Sequence, residues 1–89
     1  MKPESIRDRI LAALPGSEVD VKDTTGTGDH FEAKVVSPAF VGKSMVDQHQ
    51  AVYAPLQDVL QTGELHALAL KTYSPEQWQK WVERTRSPK

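Results

Sequence analysis

The feature that most constrains the fold is a pair of alternating runs on either side of a glycine-containing turn. Valine alternates with charged residues over 18–22, and phenylalanine, alanine and valine alternate with polar residues over 30–37. A period of two places alternate side chains on opposite faces of a β-strand. Two such runs joined by a turn predict a hairpin, here with a flexible loop over 24–29.

Residues with helical spacing lie on both sides of this hairpin. Apolar residues fall near one face over 3–14, which predicts a first helix. An irregular connection over 37–43 leads to Ser44, a good N-cap for a second helical segment. Pro55 should divide that segment into a longer and a shorter piece, and Gly63 should end it.

The last third of the chain predicts one strand and one helix. Residues 65–73 (LHALALKTY) form the most continuously apolar stretch, as expected for a strand covered on both faces. Ser74 and Gln77 have the spacing of a capping box at the start of an amphipathic helix, and a frayed basic tail should follow over 84–89. The order α-β-β-α(α)-β-α predicts an α+β domain, an α/β layer in which helices pack on a three-stranded mixed sheet.

Size limits the function classes. We expect the 89 residues to form a single domain over 1–89, with a core over about 3–83. A core this small rarely leaves room for a deep, water-excluding catalytic cavity, so the chain is not expected to be an enzyme. No stretch approaches a membrane span and the N-terminus has no apolar signal core, which predicts a cytoplasmic protein with no membrane contact.

Composition narrows the choice of partners and metals. The net charge of −1 offers no strong overall positive balance for nucleic-acid binding. The chain has no cysteine, so it cannot by itself supply thiolates to zinc or to an iron–sulfur cluster. A metal would need the three histidines, carboxylates or ligands from another molecule.

The three histidines are the main candidates for metal chemistry. His49 falls in an apolar stripe of the second helical segment and is either a core histidine hydrogen-bonded to a backbone group or a ligand at the rim of that stripe. The stripe also contains Met45, Val52, Tyr53 and Leu56. His30 follows the glycine-containing loop and is either solvated or, together with His49, one half of a two-histidine site. His66 lies inside the strand predicted to be buried, which favours a structural role.

Two further motifs are interpreted as structural. Gly42-Lys43-Ser44 resembles the end of a phosphate-binding P-loop. That motif requires its first glycine at position 37, which is Ser37 here, so a P-loop is rejected. Trp78 and Trp81 are interpreted as core or interface residues rather than as a platform for stacking nucleic-acid bases.

Taken together, five segments make residues 5–78 resemble the BolA-like protein family. They are GDHF at 28–31, VSPAFVGKS at 36–44, DQHQ at 47–50, LHAL at 65–68 and KTYSPEQW at 71–78. They stand in the family's order at the family's spacing. The resemblance implies a KH-like fold of class II, which agrees with the element order predicted above.

The resemblance also implies a partner and a cofactor. BolA-like proteins pair with monothiol glutaredoxins and share a [2Fe–2S] cluster with them, in iron sensing, redox regulation or cluster trafficking. The partner and its glutathione supply cysteine sulfurs, and the isolated BolA-like chain holds no cofactor. The family's histidine ligand is matched here to His49. Many relatives have a loop cysteine where this chain has Thr27, and His30 is the nearest replacement.

A DNA-binding transcriptional regulator is the alternative that the resemblance leaves open. Lys43, Arg84 and Arg86, with Lys89 in the tail, would be the contacts on the KH-like surface. The chain lacks the GXXG loop with which KH domains clamp a nucleic-acid backbone, and glutamines flank His49 where relatives often have arginine. These differences place nucleic acid second to glutaredoxin as a partner. An exposed apolar binding face could also produce a weak homodimer.

Overall fold

The predicted hairpin is present. In the computed structural model, which describes residues 2–26 and 30–86, strand β1 (Glu18–Asp23) pairs antiparallel with strand β2 (His30–Val36). Val19 stands opposite Val35, and Val21 opposite Ala33, so the apolar sides of both strands point to the same face. The loop position of Thr27 lies outside the described residues.

The third strand differs from its prediction. Strand β3 (Ala67–Tyr73) pairs parallel with β2, and the order β1-β2-β3 makes it an edge strand of the predicted mixed sheet. Its side chains alternate between more and less exposed positions. The prediction of a strand covered on both faces was therefore wrong, because Leu68 and Leu70 face the core whereas Ala67 and Ala69 face outward.

Helices cover the inner face of the sheet. Helix α1 (Pro3–Ala13), helix α2 (Met45–Tyr53) and the short helix α3 (Gln57–Thr62) enclose a single apolar cluster with the hairpin. Its members are Ile6, Ile10, Leu14, Val19, Phe31, Val35, Phe40, Val52, Leu56, Val59 and Leu65. This cluster fixes the position of α2, and therefore of His49, relative to the sheet.

The segment between β2 and α3 confirms its predicted boundaries. Ser44 caps α2 by accepting a hydrogen bond from the Asp47 amide at 3.2 Å. A 3₁₀ turn at Ala54–Leu56 separates α2 from α3 around Pro55, and Gly63 ends α3 with a φ of 85°. The connection predicted to be irregular contains one more 3₁₀ turn, Pro38–Phe40.

The buried side of α2 is rotated from the predicted stripe. Val52 and Leu56 are fully buried as predicted, but Met45 is 56% exposed and Gln48 is only 1% exposed. Residues 48, 52, 56 and 59 form the inward-facing row instead, because successive members are three or four residues apart. Gln48 is not part of the predicted apolar stripe because its side chain is polar.

The C-terminal helix lies against the outer face of the sheet. Helix α4 (Pro75–Arg86) begins with the predicted capping box: the Gln77 amide donates to Ser74 Oγ at 3.2 Å, and the Ser74 amide donates to Gln77 Oε1 at 2.9 Å. The helix includes the first three residues of the tail predicted over 84–89, and the rest of that tail, with Lys89, lies outside the described residues. None of the helices in the described part of the chain has the length and apolar character needed to cross a bilayer.

Candidate functional site

The sheet brings two of the three histidines together. His30 begins β2 and stands in register with Ala67, the first residue of β3, so His66 lies beside it at the same end of the sheet. The two imidazole ring centres are 5.9 Å apart, with an interplanar angle of 68°. Both side chains are exposed. This histidine pair places two nitrogen-donor rings next to each other at the surface.

His66 does not occupy its predicted environment. It was expected inside a buried strand, but it precedes β3 and is exposed, because β3 starts one residue later at an open edge. Its partner ring is His30 rather than an apolar neighbour. Only the parallel pairing of β2 with β3, which brings the starts of the two strands together, would have predicted this pair. Local periodicity in the sequence does not show which strands pair.

His49 has different surroundings. It is half-buried on α2, and its ring lies edge-on to Tyr53, one turn later, with ring centres 6.5 Å apart. Its Nε2 atom is buried and has no hydrogen-bond partner. The Tyr53 hydroxyl donates to the Leu68 carbonyl of β3 at 3.3 Å. The interpretation of His49 as a core histidine bonded to a backbone group therefore fails for Nε2.

The described residues do not complete a metal site by themselves. Within residues 2–26 and 30–86, no group of three or more histidine, aspartate or glutamate side chains is arranged to hold a metal ion. The histidine pair offers two imidazole donors, and His49 offers one buried nitrogen that lacks a partner. Such a donor set fits a metal group whose remaining ligands come from a second molecule.

The remaining predicted site residues lie elsewhere. Lys43 is exposed in the loop before α2, and Arg84 is exposed on α4; Arg86 is the last helical residue, and its side chain is outside the described part. Trp78 is half-buried on the outer face of the sheet, where it contacts Tyr73 and Trp81. Its predicted structural role is consistent with these contacts, although the apolar core lies on the opposite face.

One residue that sequence reasoning missed connects several of these elements. Gln48 donates from Nε2 to the Lys43 carbonyl at 3.1 Å and to Gln77 Oε1 at 3.4 Å, and its own Oε1 has no partner. A glutamine between Asp47 and His49 gave no indication that it would be buried.

The fold defines a class of protein: small α+β domains in which helices pack on a three-stranded mixed sheet. Residues 12–77 match the family model described as BolA-like protein. The chain belongs to the BolA-like protein family, as its motifs predicted.

Relatives and solved structures agree with this assignment. The chain is 35% identical over 78 residues to the acid stress protein IbaG of Escherichia coli K12, covering 88% of this chain and 89% of that protein. A BolA protein homologue from Coxiella burnetii superimposes with a TM-score of 0.74 at 35% identity, covering 89% and 97% of the two chains. The BolA domain of SufE1 from Arabidopsis thaliana gives 0.73 at 36% identity, covering 83% and 92%. The predicted α+β fold is therefore confirmed.

Proposed function

We propose that this BolA-like protein is a non-enzymatic partner of a monothiol glutaredoxin and shares a bridging [2Fe–2S] cluster with it. The observation that carries the proposal is the 5.9 Å juxtaposition of His30 and His66 in a chain with no cysteine. Membership of the BolA-like family supplies the partner class. We assign the chain's two ligands to this histidine pair.

The donor chemistry supports a shared rather than a self-contained site. Neutral imidazole nitrogen binds iron, and two histidines in place of two cysteines are found in Rieske-type [2Fe–2S] centres. The other ligands would be the sulfurs of the glutaredoxin cysteine and of its glutathione. Imidazole ligands raise the reduction potential relative to an all-thiolate site. The bound cluster would supply one-electron redox chemistry, and the chain would hold and orient it.

The choice between His66 and His49 as the second ligand follows from access. A cluster held on a partner has to reach ligands at the surface, and both members of the histidine pair are exposed. The Nε2 atom of His49 is buried, and the ring is in contact with Tyr53, whose hydroxyl is bonded to β3. Ligation by His49 Nε2 would first require a local movement that exposes this buried atom. His49, matched to the ligand by resemblance, is therefore the competing assignment.

A spectroscopic titration tests both the partner and the ligands. A glutathione-loaded, cluster-bearing monothiol glutaredoxin is mixed with the wild-type chain and with three variants, His30→Ala, His66→Ala and His49→Ala. We expect the wild type to change the visible absorption and circular dichroism spectra. His30→Ala and His66→Ala should lose that change, and His49→Ala, the matched control for removal of an imidazole, should keep it.

Two further readouts separate the possible failures. Thermal unfolding of each variant shows whether the domain is still folded, and pull-down of glutaredoxin under iron chelation detects binding without a cluster. The proposed function fails if the wild-type mixture keeps the spectra of the glutaredoxin homodimer. If His49→Ala loses the spectral change and His66→Ala keeps it, the partner proposal stands and the ligand assignment moves to His49.

A further inference from the structure

The outer face of the sheet carries a cleft that the proposed function does not use. Its volume is about 490 Å³, which falls in the range of small-molecule sites. Three aromatic side chains from the end of β3 and from α4 line it, namely Tyr73, Trp78 and Trp81. Val21 and charged side chains of all three strands complete the lining, and none of the three histidines is among the lining residues.

The aromatic wall is ordered by contacts on both sides of Trp78. The Trp78 and Trp81 rings are stacked with centres 5.7 Å apart and an interplanar angle of 5°. Lys34 Nζ lies 4.2 Å from the centre of a Trp78 ring, and Tyr73 packs against Trp78 at 5.2 Å. Trp81 remains 46% exposed. The indole ring of Trp81 is therefore accessible in the cleft, and contacts with Lys34 and Tyr73 fix the Trp78 ring stacked on it.

Two of the three lysines beside this wall, Lys22 and Lys71, form no ion pair within the described part of the chain. Lys22 stands opposite the carboxylate of Glu32 in the sheet register, whereas Lys71 has no acidic residue opposite it. In the sheet register Asp20 stands opposite Lys34, and Lys34 opposite Lys71. The ammonium group of Lys34 forms an ion pair with Asp20 at 3.0 Å. Lys71 is exposed. Three lysines and two carboxylates line the cleft, so its charge has an excess of one positive unit.

We infer that this cleft binds a planar aromatic anion, with the ring against Trp81 and the acidic group next to Lys71. Aromatic rings stack favourably on indole, and an anion gains a charge-assisted hydrogen bond from an ammonium group. The fixed Trp78 and the Lys34–Asp20 pair reduce the ordering that binding would require. The anionic group is a carboxylate or a phosphate, because Lys71 acts as a point charge and does not distinguish them.

Tryptophan fluorescence reports directly on this site, because the chain has two tryptophans and both line the cleft. We propose to titrate the intact protein with AMP and with naphthoate, which join a planar ring to a phosphate or to a carboxylate. Adenosine and inorganic phosphate are the controls that carry only the ring or only the charge. We expect saturable quenching by at least one of the two aromatic anions, and weaker or no saturable quenching by the controls.

Variants locate the response. Lys71→Ala should weaken binding about tenfold, the loss expected for one charge-assisted hydrogen bond. Lys43→Ala removes a lysine that is also exposed but does not line the cleft, and it should leave binding unchanged. Trp81→Ala should also weaken binding, with Trp78 left as the reporter. Circular dichroism melting of each variant checks the fold.

The titrations distinguish a phosphate ligand from a carboxylate ligand, and they can also reject the proposed site. Quenching by AMP alone identifies a phosphate ligand, by naphthoate alone a carboxylate ligand, and by both a site that accepts either. The inference is overturned if neither aromatic anion gives saturable quenching at millimolar concentration. It is also overturned if adenosine binds as tightly as AMP, or if Lys71→Ala binds both anions as well as the wild type does.

Discussion

The side-chain amide of Gln48, near the start of α2, donates a hydrogen bond to Oε1 of Gln77, the residue that closes the capping box of α4. The same amide donates to the Lys43 carbonyl in the preceding loop. One buried side chain therefore connects the helix that carries His49, the loop before it and the helix that carries both tryptophans. On the outer face of the sheet, Trp78 of α4 also contacts Tyr73 and Lys34.

Replacement of Gln48 should destabilise the domain by an amount that depends on the size of the new side chain. Gln48→Ala removes both hydrogen bonds and leaves a cavity, so we expect the free energy of unfolding to fall by about 2 kcal/mol. Gln48→Leu keeps most of the volume and removes the unpaired Oε1, so it should cost less. Urea denaturation measures both values, and Gln50→Ala, at an exposed position of α2, is the control. Equal stability of Gln48→Ala and wild type would show that the connection contributes nothing.

The capping box of α4 gives a second stability prediction. Ser74→Ala removes the acceptor for the Gln77 amide and should lower the free energy of unfolding by about 1 kcal/mol. Ser5→Ala changes an exposed serine within α1 and should have little effect or a slightly stabilising one, because alanine is the better helix former. Thermal unfolding of both variants under the same conditions makes the comparison. A loss in Ser5→Ala as large as that in Ser74→Ala would contradict it.

Two valines on α2 test which side of the helix faces the core. Val52 is fully buried and Val46 is 63% exposed. Val52→Ala should therefore cost about 2 kcal/mol of unfolding free energy. Val46→Ala, the matched change on the same helix, should be neutral or slightly stabilising. Chemical denaturation of the two variants decides the matter, and similar losses in both would mean that the helix faces the sheet differently.

The sequence predicted the elements whose signals are local. The alternation around Val19 and Phe31 identified the hairpin, and the cap residues Ser44 and Ser74 located two helix starts within one residue. A hydrogen bond between a side chain and an amide three residues later is formed within the segment that encodes it. Such signals do not depend on the rest of the fold, and these predictions are confirmed for that reason.

The errors concern relationships between distant segments. An apolar stretch such as 65–73 does not say whether both faces of the strand will be covered, because that depends on whether helices pack on one face of the sheet or on both. Burial of Gln48 depends on carbonyl and amide partners that α4 and the preceding loop provide. The meeting of His30 with His66 depends on parallel register. For the same reason, the sequence identified the three histidines as candidates but could not show which two rings are neighbours.

An ion pair between α1 and α3 predicts how stability changes with pH. The Arg9 guanidinium donates to the Asp58 carboxylate at 2.8 Å and, mainly through that hydrogen bond, lowers the pKa of Asp58 below its ordinary value of 3.8. A carboxyl whose pKa is lower in the folded state stabilises the fold above the unfolded-state pKa, and this stabilisation is lost as the pH falls through the folded-state pKa. Asp58→Asn should therefore be less stable than the wild type at neutral pH, and the difference should vanish in acid. Both side chains are partly exposed, so added salt should also reduce this difference in stability.

Urea denaturation across pH measures the difference between Asp58→Asn and the wild type. Asp8→Asn is the control, because it removes an exposed carboxylate from a longer ion pair of 3.7 Å. A difference between Asp58→Asn and the wild type that persists unchanged into acid would show that the ion pair is not its source.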